Sequence, residues 1–218
     1  YGCRQTMAVG NTPATGGQSE FLVQALATNV AIKKGSPVAM QTAAGNGSLG
    51  FIQDTSALAM TDGVQGGVGW AHNRANTNKV LGVFNGATFV DANGKPSWTN
   101  GLNAGQLTSV DYNTGSANIT AFANSNPAQE YTVRADAALT NASFNGLTNN
   151  GFNLNSVGAG VNGQSDSTLD LSGVAVTGVA NYMWKIVRSA NVMDQSDVTV
   201  AGADLIVVIN PQASAYLN

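Results

Sequence analysis

Charged side chains are scarce in this sequence, and that scarcity limits what the protein can be. Only 10% of the 218 residues are charged, whereas about 25% is usual for a soluble domain. Lys and Glu, which cover the exposed faces of most helices, are rare, and Glu occurs only at Glu20 and Glu130. A surface made of Asn, Thr, Ser, Gln and Gly instead favours a β-rich protein.

Cysteine, histidine and long apolar runs are also lacking. Cys3 is the single cysteine, which excludes an internal disulfide, and with the single histidine, His72, it leaves too few ligands for a zinc site. No apolar run reaches the roughly 18 residues that a membrane span needs. A net charge of -3 gives no basic field for nucleic acid. We therefore expect no cofactor, no metal, no nucleic acid and no membrane among its ligands.

Turn signals divide the chain into short apolar segments. In NKVLGVFNGATFVDANGKP, Asn85-Gly86 predicts a tight turn between two strands, and Asn93-Gly94 predicts the next turn. Trp184, within YMWKIV, is predicted to lie in the core or in a subunit interface. Segments of this length, separated by Gly and Asn, are typical of short antiparallel strands.

The predicted fold is all-β, a compact barrel or sandwich of short antiparallel strands with an extended N-terminal arm. Period-two alternation of apolar residues, as at Ile119, Ala121 and Ala123, supports it. Residues 1–20 have few apolar anchors and are predicted to form the arm, and residues 21–218 the β-rich body, with a weakly marked division near residue 105. The chain starts without Met, and processing or truncation at this end is expected.

No group of residues makes a convincing catalytic or nucleotide-binding site. Residues 158–163 match GxGxxG, but a dinucleotide site needs a preceding strand and a following helix, so a loop is predicted. His72, the base that a nucleophilic site would need, lies in the polar segment WAHNRAN. Asp166 and Asp170 lack the aromatic platforms that accompany glycosidase carboxylates. We therefore predict that the protein is not an enzyme.

Several segments resemble one family of virion proteins. NVAIKKGSPVAM, KVLGVFNGATFVDANGKPSWTNGL, AFANSNPAQEYTVRADAAL and the final VVINPQ resemble segments of the capsid decoration, or cement, proteins of tailed bacteriophages, which are encoded near the major capsid protein. The resemblance covers about residues 28–140 and the last strand. It implies a structural protein on the outer capsid surface that binds the major capsid protein and itself, as a dimer or trimer.

Seven residues are predicted to contact the capsid or another subunit: Trp98, Asn85, Gly86, Asn93, Gly94, Glu20 and Phe21. Trp98 and the Asn-Gly segments are the candidates for the contact or for an outward tip. The alternative function is a secreted β-sandwich adhesin or carbohydrate-binding module, because polar sandwiches with an exposed Trp often bind glycans. Glycan binding that is lost on Trp98→Ala would favour the alternative.

Overall fold

Short strands dominate the computed structural model of the chain. It describes residues 2–8, 12–13, 18–23, 31–40, 51–54, 80–90, 93–102, 119–140, 144, 151–152, 154–155, 162–171, 183–190 and 197–211. This part of the chain contains sixteen strands. Among them only β3 (Gln18–Val23) and β6 (Phe51–Asp54) pair in parallel. The prediction of an all-β fold of short, mainly antiparallel strands is confirmed.

The first sheet has six strands, and strands from near the two ends of the chain lie close together in it. Its spatial order is β12 (Gly151–Phe152), β15 (Trp184–Ser189), β16 (Asp204–Ile209), β11 (Gln129–Arg134), β1 (Arg4–Ala8) and β2 (Thr12–Pro13). The sequence of β16, DLIVVI, is a nearly continuous apolar run, which is typical of a strand that is buried on both faces. In the structure β16 lies between β15 and β11, and five of its six residues are buried, as this pattern predicts.

The second sheet also has six strands. Its spatial order is β10 (Ile119–Asn124), β3, β6, β5 (Pro37–Met40), β7 (Val80–Val90) and β8 (Pro96–Thr99). β10 pairs with β3 on one edge and with β7 on the other, so strand pairing passes around β10, β3, β6, β5 and β7 and returns to β10. Two smaller pairs complete the described strands: β13 (Leu154–Asn155) with β14 (Thr168–Leu169), and β4 (Ile32–Lys33) with β9 (Gly101–Leu102).

Two apolar clusters stabilise these sheets. The first is built mainly from the first sheet but also takes in Val80 and Val83 of β7, so the two sheets pack together there. Trp184 is fully buried at its centre, as predicted for a core residue, and its ring meets Tyr131 edge-on with centroids 5.5 Å apart. The second cluster is built mainly from the second sheet, including Phe84 of β7 and Ile119 of β10, and also takes in Ile32 of β4 and Leu102 of β9. Burial of apolar area of this kind is the dominant favourable contribution to folding.

Two strands that begin in the predicted arm, residues 1–20, pair with strands of the body, and β2 pairs with β1. Residues of β1 lie opposite β11, with Arg4 paired to Thr132, and β3 begins at Gln18 and pairs with β10. Cys3 is buried, and its N–H donates to the carbonyl of Gly35 at 2.9 Å. The described strands of this segment thus belong to the two sheets. The division near residue 105 lies outside the described residues.

The predicted turn at Asn85-Gly86 is wrong, because β7 continues through both residues. Phe122 of β10 pairs with Gly86 and the next residue of β10, Ala123, pairs with Phe84, which leaves Asn85 as the extra residue of a β-bulge. Gly86 has φ of +136°. Tight hairpin turns and bulges both use glycine where φ is positive, so the same Asn-Gly signal fits either structure.

The turn predicted at Asn93-Gly94 is confirmed. It joins β7 to β8, whose first residue, Pro96, pairs with Val90, and Gly94 takes a positive φ of +78°. Among the described residues no helix is long and apolar enough to cross a membrane.

Candidate functional site

The β7–β8 hairpin carries an exposed tryptophan on its outer face. Trp98 is 51% exposed although it lies in a regular strand, directly opposite Thr88 of β7. Val90, two residues further along β7, is 43% exposed. Large apolar side chains that stay this open on a sheet are candidates for contact with another molecule.

The Trp98 ring is held in place by two neighbours. It lies over Gly86, where an added Cβ would overlap ring atom Cζ2 and come within 2.9 Å of Cε2. Its centroid is 5.4 Å from that of Phe122, with the two ring planes tilted by 31°. Aromatic pairs at such separations contribute about 0.5–1.5 kcal/mol beyond the area that they bury. The indole Nε1–H donates to Oδ1 of Asn100 over a long 3.4 Å, so the ring is fixed chiefly by packing.

Glu20 lies on the same face of the sheet. Phe122 pairs in register with Gly86 on one side and with Glu20 of β3 on the other. Paired residues of neighbouring strands project to the same face, and so do residues two apart in one strand, such as Gly86 and Thr88. Trp98, Gly86, Phe122 and Glu20 therefore lie side by side across β8, β7, β10 and β3. We call these four residues the Trp98 face.

The other predicted contact residues lie elsewhere. Phe21 follows Glu20 in β3 and packs instead against the second apolar cluster, as the period-two geometry of a strand requires. Asn85 is the extra residue of the β7 bulge and is half-buried. Asn93 and Gly94 are exposed in the turn that joins β7 to β8. The structure thus brings three of the seven predicted residues together and leaves Phe21, Asn85, Asn93 and Gly94 apart from them.

Phe122 is the member of this face that was not predicted. In β10 the residues Ile119, Ala121 and Ala123 are buried, whereas Phe122 is only half-buried on the opposite face. The alternation of apolar residues in β10 could have identified Phe122. It places Phe122 on the outward-facing side of the strand, where an aromatic ring needs a neighbour to cover it. That neighbour is Trp98.

The Trp98 face offers aromatic ring faces, backbone and one carboxylate. Glu20 is the single ionisable group of these four residues, so the face holds no nucleophile paired with a general base. Among the described residues no group of three or more His, Cys, Asp and Glu is placed to hold a metal ion. Burial raises the pKa of the Cys3 thiol, because the thiolate would lose its hydration. His72 lies outside the described residues.

A second surface feature is an open groove of about 430 Å³. It is lined by Arg134, Ala135, Asp136, Asp166, Thr168, Ala201 and Gly202. One of its carboxylates has a structural role, since Oδ1 of Asp136 accepts the N–H of Leu171 at 2.8 Å. The Arg134 side chain lies against Gly202, where an added Cβ would come within 2.6 Å of a guanidinium nitrogen. Of Asp166 and Asp170, which we did not predict to be a glycosidase pair, Asp166 lines this groove and Asp170 does not, and no aromatic residue is in the lining.

Comparison with known proteins finds no matching family model, no similar curated protein and no similar solved structure.

Proposed function

We propose that this protein is a structural virion protein that decorates the outer surface of a phage capsid and stabilises the shell by bridging capsid subunits. The observation that carries the proposal is the half-exposed Trp98, which is held on a sheet rather than on a loop and is supported by Phe122 and Gly86. Tryptophan is enriched among the residues that dominate the energy of protein interfaces. A rigid tryptophan also loses little conformational entropy when a partner covers it.

Composition and resemblance support the same function. A chain with 10% charged residues and a net charge of -3 has little electrostatic protection against association. Such a surface suits a protein that is covered by neighbours in an assembly. The segment that carries Trp98, KVLGVFNGATFVDANGKPSWTNGL, is also the longest of those that resemble phage decoration proteins.

Stabilisation of the shell would follow from mass action. A protein that binds the assembled shell, and not its dissociated subunits, shifts the equilibrium toward assembly. Many copies on one lattice add their modest individual contributions. The described residues of the first twenty positions are used within the chain's own sheets, so we assign the capsid contact to the Trp98 face.

The proposal is tested by binding to the shell formed by the major capsid protein encoded beside this chain. The wild-type chain should co-sediment with assembled shells and remain in the supernatant with unassembled capsid protein. Trp98→Ala should reduce the bound amount at least tenfold, since truncation of a central tryptophan costs about 2 kcal/mol or more. Val200→Ala is the matched control, because Val200 is an apolar residue of similar exposure, at 58%, outside the Trp98 face. Absence of wild-type binding would overturn the proposal.

Glycan binding is the second candidate function, and one observation favours it. The Trp98 ring lies beside hydroxyl and amide side chains, with Thr88 opposite it and Asn100 at its Nε1, and aromatic faces bordered by such groups also suit sugar rings. This function predicts that the isolated protein binds an oligosaccharide and that Trp98→Ala abolishes the binding. Binding to the shell without binding to any glycan of a panel would reject it.

A further inference from the structure

The carboxylate of Glu20 is the charged group of the Trp98 face. Glu20 is exposed in the middle of β3, and within the described part of the chain it takes part in no ion pair or side-chain hydrogen bond. Its neighbour Ser19 does have a partner, since the hydroxyls of Ser19 and Ser125 lie 2.7 Å apart. That bond ties β3 to the residues that follow β10 and so fixes the strand position from which Glu20 projects.

The two ring faces and the carboxylate of this face attract positive charge. The face of an aromatic ring carries the negative part of its quadrupole, and Trp binds cations best among the aromatic residues. The face contains two such rings and a carboxylate, but neither Lys nor Arg. A complementary partner therefore presents a cation, and a neutral apolar partner would leave the carboxylate desolvated and unpaired.

The shape of the face selects a guanidinium over an ammonium. Glu20 lies next to Phe122 in register, and the ring of Phe122 lies next to that of Trp98, with centroids 5.4 Å apart. Side chains paired across strands have Cβ atoms about 4.5–5.5 Å apart. A planar guanidinium can stack on a ring and direct its N–H groups sideways to a carboxylate, whereas an ammonium is compact and strongly hydrated.

We propose that the Trp98 face binds an arginine side chain of the major capsid protein, stacked on the Trp98 ring and paired with Glu20. This inference rests on the proposed function and adds the chemistry of the contact. The partner is the capsid protein that the proposed function names, and the two guanidinium groups of this chain that the structure describes already have contacts of their own. Arg188 pairs with Glu130 at 2.6 Å, and Arg134 lies against Gly202.

Shell binding by four variants tests the contact. Glu20→Gln keeps the shape and removes the charge, and it should weaken binding about three- to tenfold and flatten the dependence on salt. Trp98→Phe keeps a ring face and should weaken binding less than Trp98→Leu, which keeps only apolar bulk. Asp166→Asn is the matched charge control, because it removes an exposed carboxylate outside the Trp98 face, and it should bind like the wild type.

A small probe tests the same contact without the shell. N-acetylarginine methylamide is titrated into the 15N-labelled chain, and N-acetylcitrulline methylamide serves as the neutral probe of nearly equal shape. The chain has three Trp residues, and the indole N–H signal of Trp98 is identified by its loss in Trp98→Phe. Only the arginine probe should shift that signal, and Glu20→Gln should reduce the shift several-fold.

The outcomes separate the inference from the proposed function. Wild-type binding to the shell with unchanged affinity in Glu20→Gln and Trp98→Leu overturns the arginine contact and leaves the decoration function standing. Failure of the wild type to bind the shell overturns the function, and the probe titration then still decides the chemistry of the face. The inference is overturned if the arginine and citrulline probes shift the Trp98 signal equally. It is also overturned if an oligosaccharide shifts the Trp98 signal and the shift is unchanged in Glu20→Gln.

Discussion

The indole ring of Trp98 lies on the backbone of Gly86, at a position where any larger residue would occupy the space of the ring. Gly86 follows the bulged residue Asn85 and has φ of +136°, so the bulge and the tryptophan seat are one local structure. Because Gly86 has no side chain, the indole ring of Trp98 can lie directly on β7. The ring of Phe122 in β10 supports it from the side. This relationship accounts for a tryptophan that is half exposed and still fixed in place.

Gly86→Ala should destabilise the protein and displace the Trp98 ring. We expect a loss of about 2–4 kcal/mol, from backbone strain at a positive φ and from overlap with the ring. Gly94→Ala is the matched control, because Gly94 also has a positive φ, of +78°, but a Cβ there would meet nothing within 4 Å. Urea unfolding should show a loss of only about 1 kcal/mol for this control. Equal losses in the two variants would show that Gly86 does not form a seat for Trp98.

Arg188→Met should destabilise the first sheet. A guanidinium N–H of Arg188 donates to Oε2 of Glu130 at 2.6 Å, and the Glu130 side chain is buried while that of Arg188 is half exposed. Loss of a donor to a buried carboxylate costs about 1–3 kcal/mol. Chemical unfolding measures the loss, and Arg188→Lys, which keeps the charge, should lose less. The double variant Glu130→Gln/Arg188→Met should lose less than the sum of the two single variants.

The Cys3 thiol should be unreactive in the native protein. It is buried, and burial raises its pKa, so both access and the thiolate fraction are low. We expect almost no reaction with a thiol reagent such as dithionitrobenzoate at pH 8. In guanidinium chloride the unfolded protein should release one equivalent of thionitrobenzoate from the reagent, because the chain has one Cys. Rapid stoichiometric reaction of the native protein would show that the segment around Cys3 does not lie in the body.

Asp197 should titrate below its ordinary pKa of 3.8. Its carboxylate accepts hydrogen bonds from the hydroxyl of Thr199 at 2.6 Å and from the backbone N–H of Thr199 at 2.9 Å, and both lower the pKa. Because the folded pKa is depressed, the stabilisation of this turn is present above the unfolded pKa and is lost as the pH falls through the folded pKa. An NMR titration measures the pKa, and Thr199→Val should raise it toward 3.8. An unchanged pKa in that variant would contradict the assigned cause.

The local signals in the sequence predict much of the fold. Low charge and alternating apolar residues indicate an all-β chain, and the alternation through Ile119, Ala121 and Ala123 matches the buried face of β10. Asn93-Gly94 forms the predicted turn. Asn85-Gly86 does not, because β10 pairs along the whole of this region of β7 and the positive φ of Gly86 serves a bulge instead.

The composition of the Trp98 face could be predicted only in part. The sequence identified Trp98, Gly86 and Glu20 as candidates one by one. That they lie close together depends on the spatial order β3, β10, β7 and β8. Pairings between strands so far apart in the sequence leave no local pattern. Phe122, which joins Glu20 to Trp98, could be found only once the inward face of β10 was known.

The central claim is that the Trp98 face binds the outer surface of a capsid. Cryo-electron microscopy of shells assembled from the proposed partner, a phage major capsid protein, and incubated with this chain tests it most directly. We predict ordered density for the chain on the outer surface, with Trp98 and Glu20 buried against a capsid subunit. Shells without density for the chain, or bound copies whose Trp98 faces the solvent, would contradict the claim.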